Sequence, residues 1–196
     1  PPRSTLFPYT TLFRSSFLLS RKDETMSDYL TEREQVVTTC RTLMERGYLK
    51  ATEGNISVRV KGEDAFAITR SNYDYAMMTA DDICVLDCER KALFGQWKPS
   101  IESGMHAEVY QTRPDVHAII HTHQPYASAL ALINTPIPAL FDEQVLFLGK
   151  SVDIISYAPS GTKFLSGNVR KRVKSGNNAF ILQNHGVLVL AATTER

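Results

Sequence analysis

The stretch HAIIHTHQPYASAL, residues 117–130, limits the folds open to this chain more than any other. Its apolar run reads as a buried strand, and Gln124-Pro125 then opens a helix. His121 and His123 stand two positions apart at the end of that strand. Alternate strand residues leave the same face, so the two imidazoles emerge side by side. A pair of metal ligands needs that placement, and a sheet must then bring further donors to the same edge.

Patterning on either side alternates strands with helices. Residues 27–49, SDYLTEREQVVTTCRTLMERGYL, read as an amphipathic helix. Thr31 and Glu34 offer a capping box, Val36, Cys40, Leu43 and Met44 share a face, and Gly47 closes the helix. NISVRV alternates as a half-buried strand, with AFAIT as its hairpin partner across KGED. Thr79 precedes ADD, a short helical turn, and ICVLD is a strand. Ser100 caps a helix from Ile101 to Thr112, stopped by Arg113-Pro114. The helix opened by Pro125 runs through Ile133, and VDIISY is a strand. Ser160-Gly161 leads into a helix to about Lys174, and AFILQNHGVLVLA forms a strand pair or one bent strand. The fold expected is α/β, a three-layer α/β/α arrangement whose central sheet is mixed and largely antiparallel.

A chain of 196 residues suits one domain with its own core. Net charge is +1, and the one basic cluster, VRKRVK from Val169 to Lys174, has the spacing of a wet helix face. Neither nucleic acid nor a membrane surface is therefore an expected partner. Cys40, Cys84 and Cys88 form no C-x-x-C pair, which points to reduced thiols and the cytoplasm. No run approaches the roughly 18 apolar residues of a membrane span. Residues 1–25 begin with PPRSTLFPYTTLFRS, a near-repeat without helical or strand period that resembles translated adapter sequence. The expectation is a non-native or disordered extension over 1–25, a start at Met26, and a domain over 26–196 shortened at its C-terminal end.

Five histidines are present, and His185 occupies a polar interruption, QNHG, between two apolar runs. With His121 and His123 it makes three imidazole donors, to which a carboxylate is the usual complement. KPSIESGMHAEVY places Glu102 at a helix start with His106 one turn on. Spacing alone does not choose between Glu102, Glu108 and Asp115.

EGNISVR, ITRSNYDY, KPSIESGMHAEVYQTRPDVHAIIHTHQPYASAL, SYAPSGT and LQNHGVLV, in order from about Leu30, resemble the class II aldolase/adducin family. The resemblance implies a metal-dependent lyase that splits a carbon–carbon bond of a small, phosphorylated sugar or related keto acid through a metal-stabilised enediolate. It makes His121, His123 and His185 the histidine ligands and Glu102 the fourth ligand and acid/base. The metal expected is zinc, with manganese or cobalt as substitutes. Epimerases of the family carry Asp at the position of Glu102, so Glu favours the lyases. Gly54 and Asn55 match a phosphate-holding turn, and Ser71 and Ser100 match further phosphate-side hydroxyls.

Three positions depart from the family's aldolases. Asn72 stands for a glycine, Arg70 for a proline and Ile101 for a serine; Arg70 and Asn72 are kept as anion contacts of this chain. Asp142 matches an interfacial tyrosine and is a candidate proton donor reaching a neighbouring subunit. His106 is expected behind the metal ligands, orienting Glu102, and His117 is read as structural. Trp97, Tyr110 and Tyr126 are read as packing residues, Tyr126 beside the pocket. The family further implies a homotetramer with sites between subunits, and a catalytic tyrosine in helices that would follow Arg196. Within the family, the alternatives are a sugar-phosphate 4-epimerase, a dehydratase or a 3-oxo-acid phosphate decarboxylase. Outside catalysis stand an adducin-like scaffold and a metal-stabilised domain without activity, both disfavoured by retention of all four ligand-type residues.

Overall fold

A computed structural model describes residues 29–191. The expectations for residues 1–25, for a start at Met26 and for the C-terminal end of the domain lie outside the described residues.

The first helix, α1, spans Leu30–Glu45 and follows Tyr29, whose backbone is left-handed at φ 62°. The residue at the cap position makes no side-chain capping bond, and the Thr31–Glu34 capping box does not form among the described residues. The reason is positional: a capping side chain must precede the first turn, and Thr31 already lies inside it. The other end follows the expectation. Gly47 takes φ +75°, and the Tyr48 N–H reaches back to the Leu43 carbonyl.

Nine strands form the sheet: β1 Asn55–Arg59, β2 Ala65–Ile68, β3 Cys84–Asp87, β4 Ala92–Phe94, β5 Ala118–Thr122, β6 Ile137–Pro138, β7 Ser151–Ile155, β8 Ala179–Leu182 and β9 Gly186–Ala191. Their spatial order is β4-β3-β2-β1-β5-β9-β8-β7-β6. Only β7 and β8 run parallel, and every other neighbouring pair is antiparallel. The mixed, largely antiparallel sheet expected from the sequence is thus the one observed.

Helices cover both faces. Met105, Ala107 and Val109 of α2, Ser103–Thr112, pack with Leu165 and Val169 of α5, Lys163–Arg172. Beneath them lie Phe66, Ile68, Leu86, Ile119, Phe180, Leu188 and Leu190. On the opposite face, Val36, Val37 and Cys40 of α1 pack on Ile56, Val58, Ala65, Ala67 and Val85. A third helix, α3, Pro125–Leu132, sets Ala131 against Ala179 and Ile181 on that same second face. A wholly buried Phe66 is the kind of anchor whose truncation costs about 3–5 kcal/mol.

Helix α2 begins two residues later than its sequence suggests. Ser100 Oγ accepts the Glu102 N–H in a preceding turn, which leaves Glu102 as the cap residue of α2. Two strands and one helix were not legible: β4, β6, and α4 over Asp142–Leu148. The basic cluster behaves as expected, with Val169 and Val173 buried and Arg170, Lys171 and Arg172 exposed. All three cysteines are free and buried. Among the described residues, no helix is long and apolar enough to cross a membrane.

Candidate metal centre

The register of β1, β5 and β9 sets the site. Asn55 pairs across to His121, and His121 pairs across to Leu188, so these three share the face under α2. Two glycines allow the strands' ends to close up. Gly54 has φ +81°, and a Cβ there would lie 2.3 Å from the His121 carbonyl oxygen. A Cβ on Gly186 would lie 2.5 Å from the Thr122 oxygen and 2.9 Å from His123 Cδ2. Only hydrogen fits in either place.

The turn between β8 and β9 then brings His185 to the histidine pair. One nitrogen from each of His121, His123 and His185 lies within 4.8 Å of the others. Glu102 closes the group, with Oε2 3.2 Å from His121 Nε2 and Oε1 3.2 Å from His185 Nε2. His121 is wholly buried, whereas His123 and His185 face a cavity of about 300 Å³.

Hydrogen bonding shows what these atoms still need. His121 Nδ1 donates to the Val187 carbonyl at 2.9 Å. Its Nε2 is buried, makes no hydrogen bond and lies 3.2 Å from a Glu102 carboxylate oxygen. A buried ring nitrogen and a carboxylate oxygen in that contact are satisfied by a positive centre between them. Three imidazole nitrogens and one carboxylate suit a divalent cation of the zinc class, so the residues present fit such a metal.

The electrostatics agree. Burial alone would raise the Glu102 carboxyl, but His121 beside it and the Ser160 hydroxyl hold it well below the usual carboxylate range. Burial pushes His185 down to about 4, with His121 adding to the effect, and pushes His123 down as well. Neutral imidazoles are the form that ligates.

Behind Glu102 runs a buried relay with a single direction. Asn55 Nδ2 donates to Glu102 Oε2 at 2.8 Å, which turns Asn55 Oδ1 toward His106 Nε2. His106 must donate there, so its Nδ1 accepts from Ser57 Oγ at 2.6 Å, and Ser57 accepts from the Tyr110 hydroxyl at 2.8 Å. Burial pushes His106 down to about 3, which keeps the imidazole neutral in this chain. Each hydrogen bond thus points toward the carboxylate.

The same cavity is lined by Gly54, Asn55, Arg70, Ser71, Asn72 and Ser100, the six residues expected on the phosphate side. Asn72 takes φ 53°, a conformation a glycine adopts freely and asparagine tolerates. The Arg70 guanidinium is pinned 2.9 Å from Asp82 and stacks between Trp97, at 3.6 Å, and Tyr73, at 4.2 Å. Asp142 is exposed at the start of α4 and is not among the residues lining the cavity. Tyr126 is 89% exposed and lines no part of it, contrary to expectation, because it faces outward from the first turn of α3. His117 is exposed at the far end of β5. Tyr110 does more than pack, since its hydroxyl starts the relay.

Sequence reasoning missed Ser57 and Ser160. Ser57 carried a signal, since Asn55, Ser57 and Arg59 are the polar alternates of β1; a helix over that face buries Asn55 and Ser57. Ser160 stands in the quoted SYAPSGT, but nothing in that stretch ties it to Glu102, 58 residues away along the chain.

Comparison with known proteins bears on this geometry. Residues 34–196 match the family described as the class II aldolase and adducin N-terminal domain. An L-fuculose phosphate aldolase of Escherichia coli is 33% identical over 162 residues, 83% of this chain and 74% of that protein. A 5-deoxy-D-ribulose 1-phosphate aldolase of Bacillus thuringiensis is 32% identical over 80% of this chain and 73% of its own. Among solved structures, an L-fuculose 1-phosphate aldolase superposes with a TM-score of 0.77 at 37% identity, over 82% of this chain and 75% of that one.

Proposed function

Since this chain belongs to the class II aldolase and adducin family, we propose that it is a metal-dependent lyase cleaving a small phosphorylated ketose. The observation that carries the reading is the buried, partnerless Nε2 of His121 facing Glu102. His121, His123, His185 and Glu102 would hold the cation, zinc in first place and manganese or cobalt as substitutes. When bound, the cation supplies Lewis-acid neutralisation of the charge that builds on the substrate's oxygens.

The chain's own residues do the rest. Cleavage breaks the bond between the carbinol carbon and the carbon beside the ketone. The hydroxyl proton leaves, an aldehyde departs, and the electron pair stays on the ketone fragment, which then takes a proton at carbon. Glu102, unprotonated and held at both oxygens, is placed to carry that proton. Gly54, Asn55, Ser71, Asn72 and Ser100 line the cavity opposite and are assigned the phosphate, with Arg70 as a fixed cation at its rim. The position of Asn55 is doubly used, since its side-chain amide already serves Glu102.

Metal-loaded protein incubated with a panel of ketose 1-phosphates should release an aldehyde, lose that activity to a chelator and regain it with zinc. Epimerised or dehydrated products without aldehyde would overturn the carbon–carbon cleavage while sparing the family.

Self-association belongs to the same reading. Helix α4 buries none of its residues in the single chain, and Phe141 and Leu146 are exposed. An apolar face of this kind suits a second copy of the chain, in the homotetramer that the family resemblance implies. Asp142, at the head of that helix, is assigned as a proton donor to the neighbouring subunit's site. Mixing subunits carrying Asp142→Asn with subunits carrying Glu102→Gln should restore part of the activity that each lacks alone. Absence of any restoration would remove Asp142 from the mechanism.

A further inference from the structure

Glu102 is gripped at both carboxylate oxygens, and the two grips differ in kind. Asn55 holds Oε2 from the end of β1, where its amide is buried and its orientation is fixed by His106 behind it. Ser160 Oγ donates to Oε1 at 2.6 Å from the loop between β7 and α5, at an exposed position on the cavity wall. An O–H bond of that length to a carboxylate is charge-assisted and about twice as strong as a neutral one.

Backbone contact delivers the hydroxyl. Gly161, next along the loop, has φ +72°, and a Cβ there would lie 3.1 Å from the Ile101 carbonyl oxygen. The loop therefore sits directly on the turn that carries Glu102. Each carboxylate oxygen also faces one imidazole, Oε1 toward His185 and Oε2 toward His121. Rotation of the carboxylate would break both alignments, and Asn55 alone fixes only one oxygen.

We propose that Ser160 is a positioning residue of this centre, its hydroxyl locking the carboxylate of Glu102 so that both oxygens keep their alignment with His121 and His185. The kinetic consequence rests on the lyase reading given above; the consequence for metal binding does not. Residues that hold a ligand in place from outside the coordination shell typically contribute about 10- to 100-fold in metal affinity or activity.

The test uses Ser160→Ala and Ser160→Thr, each loaded with cobalt(II) as a visible probe of the ligand field. Ser160→Ala should bind cobalt about tenfold more weakly in chelator competition and shift its visible bands. Its metal-free thermal midpoint should fall by only about 2–4 °C, the loss of one hydrogen bond at an exposed position, with the fold intact. Ser160→Thr, which keeps a hydroxyl, should recover both the affinity and the spectrum. At saturating metal, kcat of Ser160→Ala should fall about tenfold with KM unchanged. Wild-type affinity and spectrum in Ser160→Ala would overturn the proposal. So would a threonine variant that recovers neither, or a rise in KM alone, which would make Ser160 a substrate contact. Should the wild-type protein release no aldehyde from any ketose phosphate, the lyase reading falls, and the cobalt measurements still judge Ser160 by themselves.

Discussion

Replacing His121 with alanine should leave a protein that retains no stoichiometric metal after dialysis and whose turnover falls by on the order of 10³-fold. The size of the effect follows from position. His121 is wholly buried, its Nδ1 is spent on the Val187 carbonyl, and its other nitrogen faces Glu102 at 3.2 Å. Alanine removes a donor that no neighbour can replace and gives up the bond to the Val187 carbonyl as well. Because that second loss costs stability by itself, His123→Ala is the companion variant. His123 faces the cavity, so its truncation should spare folding and still release the metal. Metal analysis of both proteins decides the matter: full metal content in the two variants would dissolve the assigned centre.

Alanine at Gly186 should be nearly as damaging although it adds only one methyl group. That methyl would stand 2.5 Å from the Thr122 oxygen, 2.9 Å from His123 Cδ2 and 3.1 Å from His121 Cε1. Real Cβ atoms do not sit that close to a backbone oxygen, so β9 must move away from β5 and carry His185 with it. We expect a loss of about 1–3 kcal/mol in stability, as for overpacking elsewhere. Metal affinity should fall by about 10- to 100-fold, since three imidazoles lose their common focus. Gly167 supplies the contrast. It lies in α5 with open space at its Cβ position, so Gly167→Ala should stabilise the protein by about 0.5–1 kcal/mol. Equal behaviour of the two alanine variants in chemical denaturation would show that crowding at Gly186 is not what the packing implies.

Much of the site could be read before any coordinates. The two-residue spacing of His121 and His123 on a strand end, and the polar QNHG inside apolar sequence, are local signals, and local signals survive in a sequence. The choice of Glu102 over Glu108 and Asp115 needed the family resemblance, because three carboxylates at similar spacing carry no distinguishing pattern. The short elements were invisible for a related reason. Strand β4 has three residues, and β6 has two and includes Pro138, too few for any period to repeat. The relay was hidden by a wrong assumption about solvent. Alternation along β1 was read as one dry face and one wet face, yet α2 covers the polar face and turns Asn55 and Ser57 into buried groups that must find partners. Ser160 could not be found at all from its neighbours in the chain, since what defines it is a contact 58 residues away.

The placement of β5 between β1 and β9 has a consequence for how the protein is made. Its central strand receives one neighbour from an early hairpin and the other from the last strand described, so half of its ladder waits for nearly the whole domain. His121 and His123 leave the ribosome 62 or more residues before His185 does. Throughout that interval a nascent chain offers cations only a partial grasp, and stray ions that settle there can be shed before the final turn closes. On the metal reading proposed above, the order of the strands would work as a timer, deferring tight capture of an ion until the surrounding domain exists to hold it.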